Sequence, residues 1–577
     1  MSQESTHRIG GELMSEEGPD GLITRAFLRG TGLSALTVRQ RPVIGIANTW
    51  SELNPCNAGL RELARHVKRG ITAAGGLALE FPTISLAEAF TRPSSMYLRN
   101  LLAMDTEEMI TASPIDGVVL LGGCDKTLPA QLMGAASAGK PALALAAGPR
   151  PLSTWEGRPM AVENLWPLID QRRTGHLSDS DWSRLEGCLS GGVGTCNVMG
   201  TAVTMAVVAE VLGMALPGTA LLPADSAQRA AAAEHTGRAI VARARAHITP
   251  AAVMTPGAFD NAFRAVCAVG GSTNAVIHLQ AIAGRLGLCL DPARLQKLSD
   301  STPLLADVKP SGRRFLHDFE ADGGVPALMG RLREIADMTA MSGDDRSWDE
   351  TATDPAAIAG CLSTLTHPVG QARSLVMLRG SLAPDGALLK QSAADPGLCR
   401  HVGRAVVFDG VDDLRARIDH PDLEVDATSV LVLRGTGPIG GPGMPEVGHL
   451  PIPRKLLEQG VTDMVRISDA RMSGTATGTV VLHVAPEAAA GGPLALVRDG
   501  DFIELDTARN TLDLLVDSAE LERRSLEGGP NQQGPQPNDG TEPSSAFPRA
   551  RGYARLFAEH VTQADRGCDF DFLQAVR

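Results

Sequence analysis

The sequence predicts an α/β amino-terminal domain with a mostly parallel sheet, followed by a β-barrel-like carboxy-terminal domain. Three observations carry this expectation. The 577-residue chain is longer than one hydrophobic core supports, so at least two domains are expected. From about residue 42, short apolar runs alternate with segments of helical period, as parallel strands with helical crossovers do. After about residue 370, short β-rich runs between Gly, Pro and Asp take over, as in a barrel or sandwich. The expected domains are residues 1–370 and 371–577.

The elements follow in order. Pro42-Val43-Ile44-Gly45-Ile46-Ala47 reads as a buried strand. Leu60, Leu63, Ala64, Val67 and Ile71 keep helical spacing, and Gly75-Gly76 ends that helix. Leu77 to Phe81 is strand-like, Met96 to Thr111 helical, Gly117 to Leu121 a strand, Ala130 to Ala138 a helix and Pro141 to Leu145 a strand. In the second domain the strand runs are Ala405–Phe408, Val430–Leu433, Met464–Ile467, Thr479–Val484 and Phe502–Leu505. Residues 525–549 are rich in Gly, Pro, Asn, Gln and Ser and are expected to form a disordered loop.

Composition narrows the function. The net charge is −13 and no long basic run occurs, which argues against nucleic acid or an anionic membrane as partner. Aromatic residues make up only 3% of the chain, too few for base-stacking platforms. The nine cysteines are odd in number in a large chain, so a disulfide framework is a poor reading. Residues 1–21 lack the apolar core of a signal peptide. Thr201 to Leu222 is apolar but interrupted by Glu210, Gly213, Pro217 and Gly218, which suits a buried helix better than a membrane span. A cytoplasmic protein with reduced thiols is expected.

Gly122-Gly123-Cys124-Asp125-Lys126-Thr127 sets a thiol, a carboxylate and an amine side by side after a strand. A soft ligand beside a hard one suggests two different metals in one pocket. Cys56 lies in the turn-like Asn54-Pro55-Cys56-Asn57, and Cys196 in the loop Gly191-Gly192-Val193-Gly194-Thr195-Cys196-Asn197. Cys56, Glu88 and Cys124 each follow the C-terminal end of an expected strand, the edge where ligands bind in open α/β sheets. Spacing alone leaves ligand and packing roles both open for the three cysteines. Three thiolates fit an iron–sulfur cluster better than structural zinc, which takes four protein ligands. Cys188 is the competitor for a fourth place, with a surface or packing role as its plainer reading. Cys267 and Cys361 look like buried structural thiols.

The carboxylates Glu88, Asp125 and Glu446 could equally be solvated side chains or helix caps, and Lys126 could simply pair with Asp125 or bind an anion. Glu88, however, has apolar surroundings, and Glu446 ends the Gly- and Pro-rich Gly440-Gly441-Pro442-Gly443-Met444-Pro445. In Ser468-Asp469-Ala470-Arg471-Met472-Ser473-Gly474 the serines are either turn caps or a hydroxyl presented at a strand end. No Gly-x-Ser-x-Gly elbow is present, so an acyl-transfer hydrolase is not supported.

These motifs, with Gly270-Gly271-Ser272-Thr273-Asn274, occur in an order that resembles the dehydratase family of dihydroxy-acid, phosphogluconate and sugar-acid (aldonate) dehydratases. Asn48 to Asn57, Met96 to Asp105 and Leu450 to Lys455 look most like the sugar-acid (arabinonate- and xylonate-type) branch. The resemblance implies a [2Fe–2S] cluster on Cys56, Cys124 and Cys196. It implies Mg²⁺ held by Glu88, Asp125, Lys126 and Glu446; in this family the lysine can be carbamylated, which makes it an oxygen ligand. Ser473 matches the serine whose alkoxide is the base. A sugar-acid substrate, a homodimer or homotetramer, and a site between the two domains are implied as well. Thr477, Arg434 to Pro438 and Val162 to Leu177 depart from the family pattern.

The expected activity is therefore a hydro-lyase converting an aldonate to a 2-keto-3-deoxy acid. Two alternatives stand beside it. One is the dihydroxy-acid dehydratase of branched-chain synthesis. The other is a non-catalytic iron–sulfur redox sensor, which would need none of Glu88, Asp125, Lys126, Glu446 and Ser473.

Overall fold

Val43–Asn48 (β1), Leu77–Pro82 (β2), Gly117–Gly122 (β3) and Ala142–Ala146 (β4) form an all-parallel sheet in the order β2-β1-β3-β4. The structure is a computed structural model and describes residues 16–34, 41–354, 360–527 and 551–575. β1 and β3 are buried along their whole length, because both faces of the sheet are covered. Alternation along the strands assigns the faces. Ile44, Ile46, Val119, Leu121, Leu143 and Leu145 pack on helices Leu60–Ala73 (α1) and Ala227–Arg245. Val43, Ala47, Val118, Leu120, Ala142 and Ala144 face the core shared with helices Arg99–Ala112 and Thr127–Ala138 (α2) and Thr201–Val211.

The expected strands and helices of this domain are all present, with ends shifted by one to three residues. The segment from Met96 differs in kind at its start: Ser95–Leu98 is a 3₁₀ turn before the α-helix begins at Arg99. The Ser94 hydroxyl, accepting from Met96 N, caps that turn. The apolar stretch from Thr201 is the buried helix anticipated, ending at Val211. Among the described residues no helix is long and apolar enough to cross a membrane.

The second sheet has eight strands: Val376–Leu378 (β5), Gly386–Leu389 (β6), Arg400–Asp409 (β7), Val430–Arg434 (β8), Arg466–Ser468 (β9), Val480–Ala485 (β10), Phe502–Asp506 (β11) and Thr511–Leu514 (β12). Their order is β12-β11-β7-β8-β9-β10-β6-β5. A bridge between Arg379, just after β5, and Thr511 in β12 joins the two edges. The sheet is therefore the barrel-like closure expected, around Val376, Leu389, Val407, Val432, Ile467, Val481, Ile503 and Leu512. β7 to β10 run parallel, so the loops after β8 and β9 leave the same end of the barrel.

The chain then returns to the first domain. Buried Arg99 donates to Gly567 O and Cys568 O, and Arg285 pairs with Asp569 at 2.6 Å. The loop expected over 525–549 is corrected at its start. Ser525 and Leu526 close a helix, Ser518–Leu526, held by Arg524 against Asp501 and Glu520. Residues 528–549 lie outside the described residues.

Candidate active site

The Cys56 and Cys124 segments leave the C-terminal edge of the parallel sheet, after β1 and β3, and one buried side chain ties them together. Asn57 Nδ2 donates to Thr49 O (3.1 Å), Thr49 Oγ1 (2.9 Å) and Ser85 Oγ (3.2 Å), while its Oδ1 accepts from Cys124 N (3.1 Å). The loops after β1, β2 and β3 thus share one amide. Gly123 permits the approach: a Cβ there would lie 2.6 Å from Asn57 Oδ1 and 3.1 Å from Cys56 O. Thr127 Oγ1 accepts from Gly123 N and donates to Cys124 O, closing the turn into α2.

Cys196 arrives from the other side. Pro149 and Thr195 pair as a parallel bridge after β4, and Gly194 N donates to Pro55 O at 3.3 Å. Arg150 fastens this corner. It donates to Thr195 O and Gly194 O, and its Nη2 lies 3.7 Å from Cys56 Sγ. Cys56 is hydrogen-bonded by Cys124, which with Arg150 lowers its pKa against the opposing effect of burial. Cys124 is raised by that same thiol pairing and by burial, and burial pushes Cys196 up to about 12. A metal ion binding such thiols would displace their protons, which leave to solvent. Cys188 ends a separate helix, Asp179–Cys188, where its carbonyl accepts from Ser153. Cys267 and Cys361 are buried in the core, as expected.

Asp125 links this thiol group to a second one. Its Oδ1 is 3.3 Å from Cys124 Sγ, and its carboxylate joins those of Glu88 and Glu446 in a group whose nearest oxygens lie within 4.8 Å of one another. Among the described residues this is the one set of three or more carboxyl, thiol or imidazole groups gathered that tightly. Fully buried Lys126 pairs with Asp125 and lies 3.5 Å from Glu88 and 3.6 Å from Glu446. Fully buried Arg471 lies 2.9 Å from Glu446 and 3.8 Å from Glu88, and also donates to Met444 O and Ser94 Oγ. Burial opposes ionisation of Glu88, but Lys126, Arg471 and the Ser95 hydroxyl bring it down to about 2. Glu446 goes the other way, up to about 7, through burial and the negative Glu88. Glu88, Asp125 and, when ionised, Glu446 face Lys126 and Arg471, and the donors are all oxygen, the preference of a hard divalent cation.

Glu446 and Ser473 come from the loops after β8 and β9. Val447 bridges Met472 in antiparallel register, which sets Glu446 opposite Ser473. Asn274 fixes the junction with the first domain, donating to Thr201 Oγ1, Met472 O and Glu446 Oε1. Gly443, at φ +81°, lets the Glu446 loop lie on the Ser94–Leu98 segment: a Cβ there would sit 2.2 Å from Tyr97 N. Ser473 Oγ is 2.9 Å from Thr475 Oγ1 and 3.4 Å from Thr475 N.

Glu88, Asp125, Lys126 and Glu446 therefore form one group, Cys124 adjoins it through Asp125 and pairs with Cys56, Cys196 is close enough to feel the charge of Cys56, and Ser473 lies opposite Glu446. Sequence reasoning assigned no role to Asn57, Arg150, Asn274, Arg471 or Thr475, although four of them sit inside or beside quoted motifs. Arg471 carried the clearest signal, a lone cation in an otherwise uncharged-to-acidic loop.

Comparison with known proteins places this geometry among relatives. The dihydroxy-acid/6-phosphogluconate dehydratase N-terminal model matches residues 41–351, and the corresponding C-terminal model matches residues 360–568. The chain is 47% identical over 564 residues to an L-arabonate dehydratase of Azospirillum brasilense, covering 97% of this chain and 95% of the relative. It is 44% identical over 581 residues to a 6-deoxy-6-sulfo-D-gluconate dehydratase of Pseudomonas putida, covering 99% and 98%. A dihydroxy-acid dehydratase of Mycobacterium bovis is 38% identical over 536 residues, covering 89% and 92%.

Proposed function

The chain belongs to the dihydroxy-acid/6-phosphogluconate dehydratase family and is a hydro-lyase, and on that premise we propose that it removes water from an aldonate to give a 2-keto-3-deoxy acid. The observation that carries the reading is the contact of Cys124 with Asp125, which sets a thiol group against a carboxylate group within reach of one small substrate. The relatives named for sugar acids support an aldonate over a branched-chain dihydroxy acid, since they match at 44% and 47% against 38%.

The donor sets suit two cofactors. Cys56, Cys124 and Cys196 would hold a [2Fe–2S] cluster, their three soft sulfurs leaving one iron position without a protein ligand. Glu88, Asp125 and Glu446 would hold Mg²⁺, with Lys126 joining them if carbamylated. When bound, these groups supply Lewis acidity at neighbouring substrate oxygens.

The chain's own residues do the rest. Ser473 Oγ accepts the C2 proton, and its place opposite Glu446 keeps it beside the cation site that lowers the cost of an alkoxide. Arg471 and Asn274 both hold Glu446 Oε1, so the carboxylate cannot swing toward the base. The C3 hydroxyl departs with its bonding pair and takes up the proton that Ser473 removed from C2, so that water is released and the alkoxide restored, and the enol that remains tautomerises to the 2-keto acid. A redox sensor would have no use for Ser473 opposite a held carboxylate. We also propose a cytoplasmic homodimer or homotetramer, which light scattering on the purified protein checks.

The test is anaerobic purification followed by a panel of pentonates and hexonates, with 2,3-dihydroxyisovalerate alongside. Formation of a 2-keto-3-deoxy acid from an aldonate is expected. Turnover of 2,3-dihydroxyisovalerate alone would move the substrate to the branched-chain class, and no turnover with a loaded cluster and Mg²⁺ would favour the sensor.

A further inference from the structure

Val162 to Leu177, the stretch that matches no family pattern, lies over the two loops that carry Glu446 and Ser473. It contains a helix, Leu165–Arg173. At the C-terminal end of that helix, Arg173 Nη2 donates to Ile452 O (2.8 Å) and pairs with Asp419 (2.7 Å). Near its start, Trp166 packs on His449 with ring centroids 4.6 Å apart, and its Nε1 donates to Thr475 Oγ1 at 3.0 Å.

The direction of this last bond matters. An indole N–H can only donate, so Thr475 Oγ1 accepts from it. A threonine hydroxyl has one hydrogen, and the other side-chain partner of Thr475 among the described residues is Ser473 Oγ at 2.9 Å. A second lone pair stays open on the threonine oxygen, but a deprotonated Ser473 Oγ can only accept, so in the base form the hydroxyl hydrogen is directed at Ser473 Oγ while the indole holds the threonine oxygen from its other side. Thr475 N points at the same atom from 3.4 Å. Ser473 Oγ is thereby an acceptor of two hydrogen bonds, the arrangement that favours it as a base. Chained donors strengthen one another, so the indole also polarises the Thr475 hydroxyl.

Resting on the dehydratase reading above, we propose that Trp166 is a positioning residue for the elimination: it orients the Thr475 hydroxyl so that Thr475 donates to Ser473. The N-terminal domain thus contributes to the base through a segment outside the family motifs. Proton transfer is unchanged in its balance, from substrate C2 to Ser473 Oγ; Trp166 gives up no proton.

The test is a double-mutant cycle on the full-length, loaded enzyme. Trp166→Phe keeps the ring over His449 and removes the N–H; Thr475→Val removes the hydroxyl it acts through. Trp166→Phe is expected to lower kcat by up to about tenfold, the scale of one neutral hydrogen bond, with KM nearly unchanged. The isotope effect on kcat with a C2-deuterated aldonate is expected to rise, because proton abstraction is the step slowed. In the Thr475→Val background the same change is expected to add less than twofold. Equal losses in both backgrounds, or a loss in KM with no rise in the isotope effect, would overturn the proposal and leave the dehydratase reading standing. Absence of aldonate turnover by the unsubstituted enzyme would overturn both.

Discussion

Single residues in this protein take their behaviour from burial more than from their place in the sequence. Lys390 follows Leu388-Leu389 at the end of β6. The structure buries it, and among the described residues its Nζ has no hydrogen-bond partner. Burial lowers its pKa to about 7. Because the unfolded chain keeps the lysine near its usual value, the unfolded state binds more protons between pH 7 and about 10.5. The penalty against folding is about 4 kcal/mol at pH 7 and is relieved as pH rises through that window. Thermal midpoints should therefore rise from pH 7 to pH 10 in the unsubstituted protein. Lys390→Met should raise the midpoint at pH 7 and flatten that rise.

At the scale of elements, the loop after β8 depends on one glycine. Gly443 combines φ +81° with a Cβ position 2.2 Å from Tyr97 N, so alanine there meets backbone strain and a clash with main chain together. Gly443→Ala should cost at least about 2 kcal/mol and draw Glu446 away from Glu88 and Asp125. Calorimetric Mg²⁺ titration of the variant should show affinity at least tenfold weaker, with the absorption of the cluster proposed on Cys56, Cys124 and Cys196 unchanged. The parallel sheet was legible because its strands are buried on both faces and its helices keep a clear apolar stripe, as in α1. The barrel was legible only in part. Val430–Arg434 and Phe502–Asp506 are apolar enough to stand out, but Val376–Leu378 and Gly386–Leu389 are too short, and Thr511–Leu514 alternates too briefly. The first half of β7, Arg400 to Arg404, is polar because it faces outward, and its pairing with β11 fixes it instead. The candidate site residues were legible as motifs. Their supports were not, since the hydrogen bonds of Asn57 and Asn274 join segments far apart in the chain.

Across the whole molecule, the C-terminal edge of one sheet and one end of the barrel meet at a shared site. The thiol group belongs wholly to the first domain, whereas the carboxylate group needs Glu446 from the second. The two should respond separately to chelation. Treating the holoenzyme with EDTA under anaerobic conditions should abolish turnover while leaving the cluster absorption intact, and Mg²⁺ should restore turnover. Loss of both signals together, with no recovery, would mean the two donor sets are not independent.

The most direct test of the account is Ser473→Ala in the full-length enzyme, with cluster absorption and bound Mg²⁺ first shown equal to those of the unsubstituted protein. The account predicts that 2-keto-3-deoxy acid formation falls by about 10³-fold, within the range for loss of a general base. Full activity in that variant would contradict it.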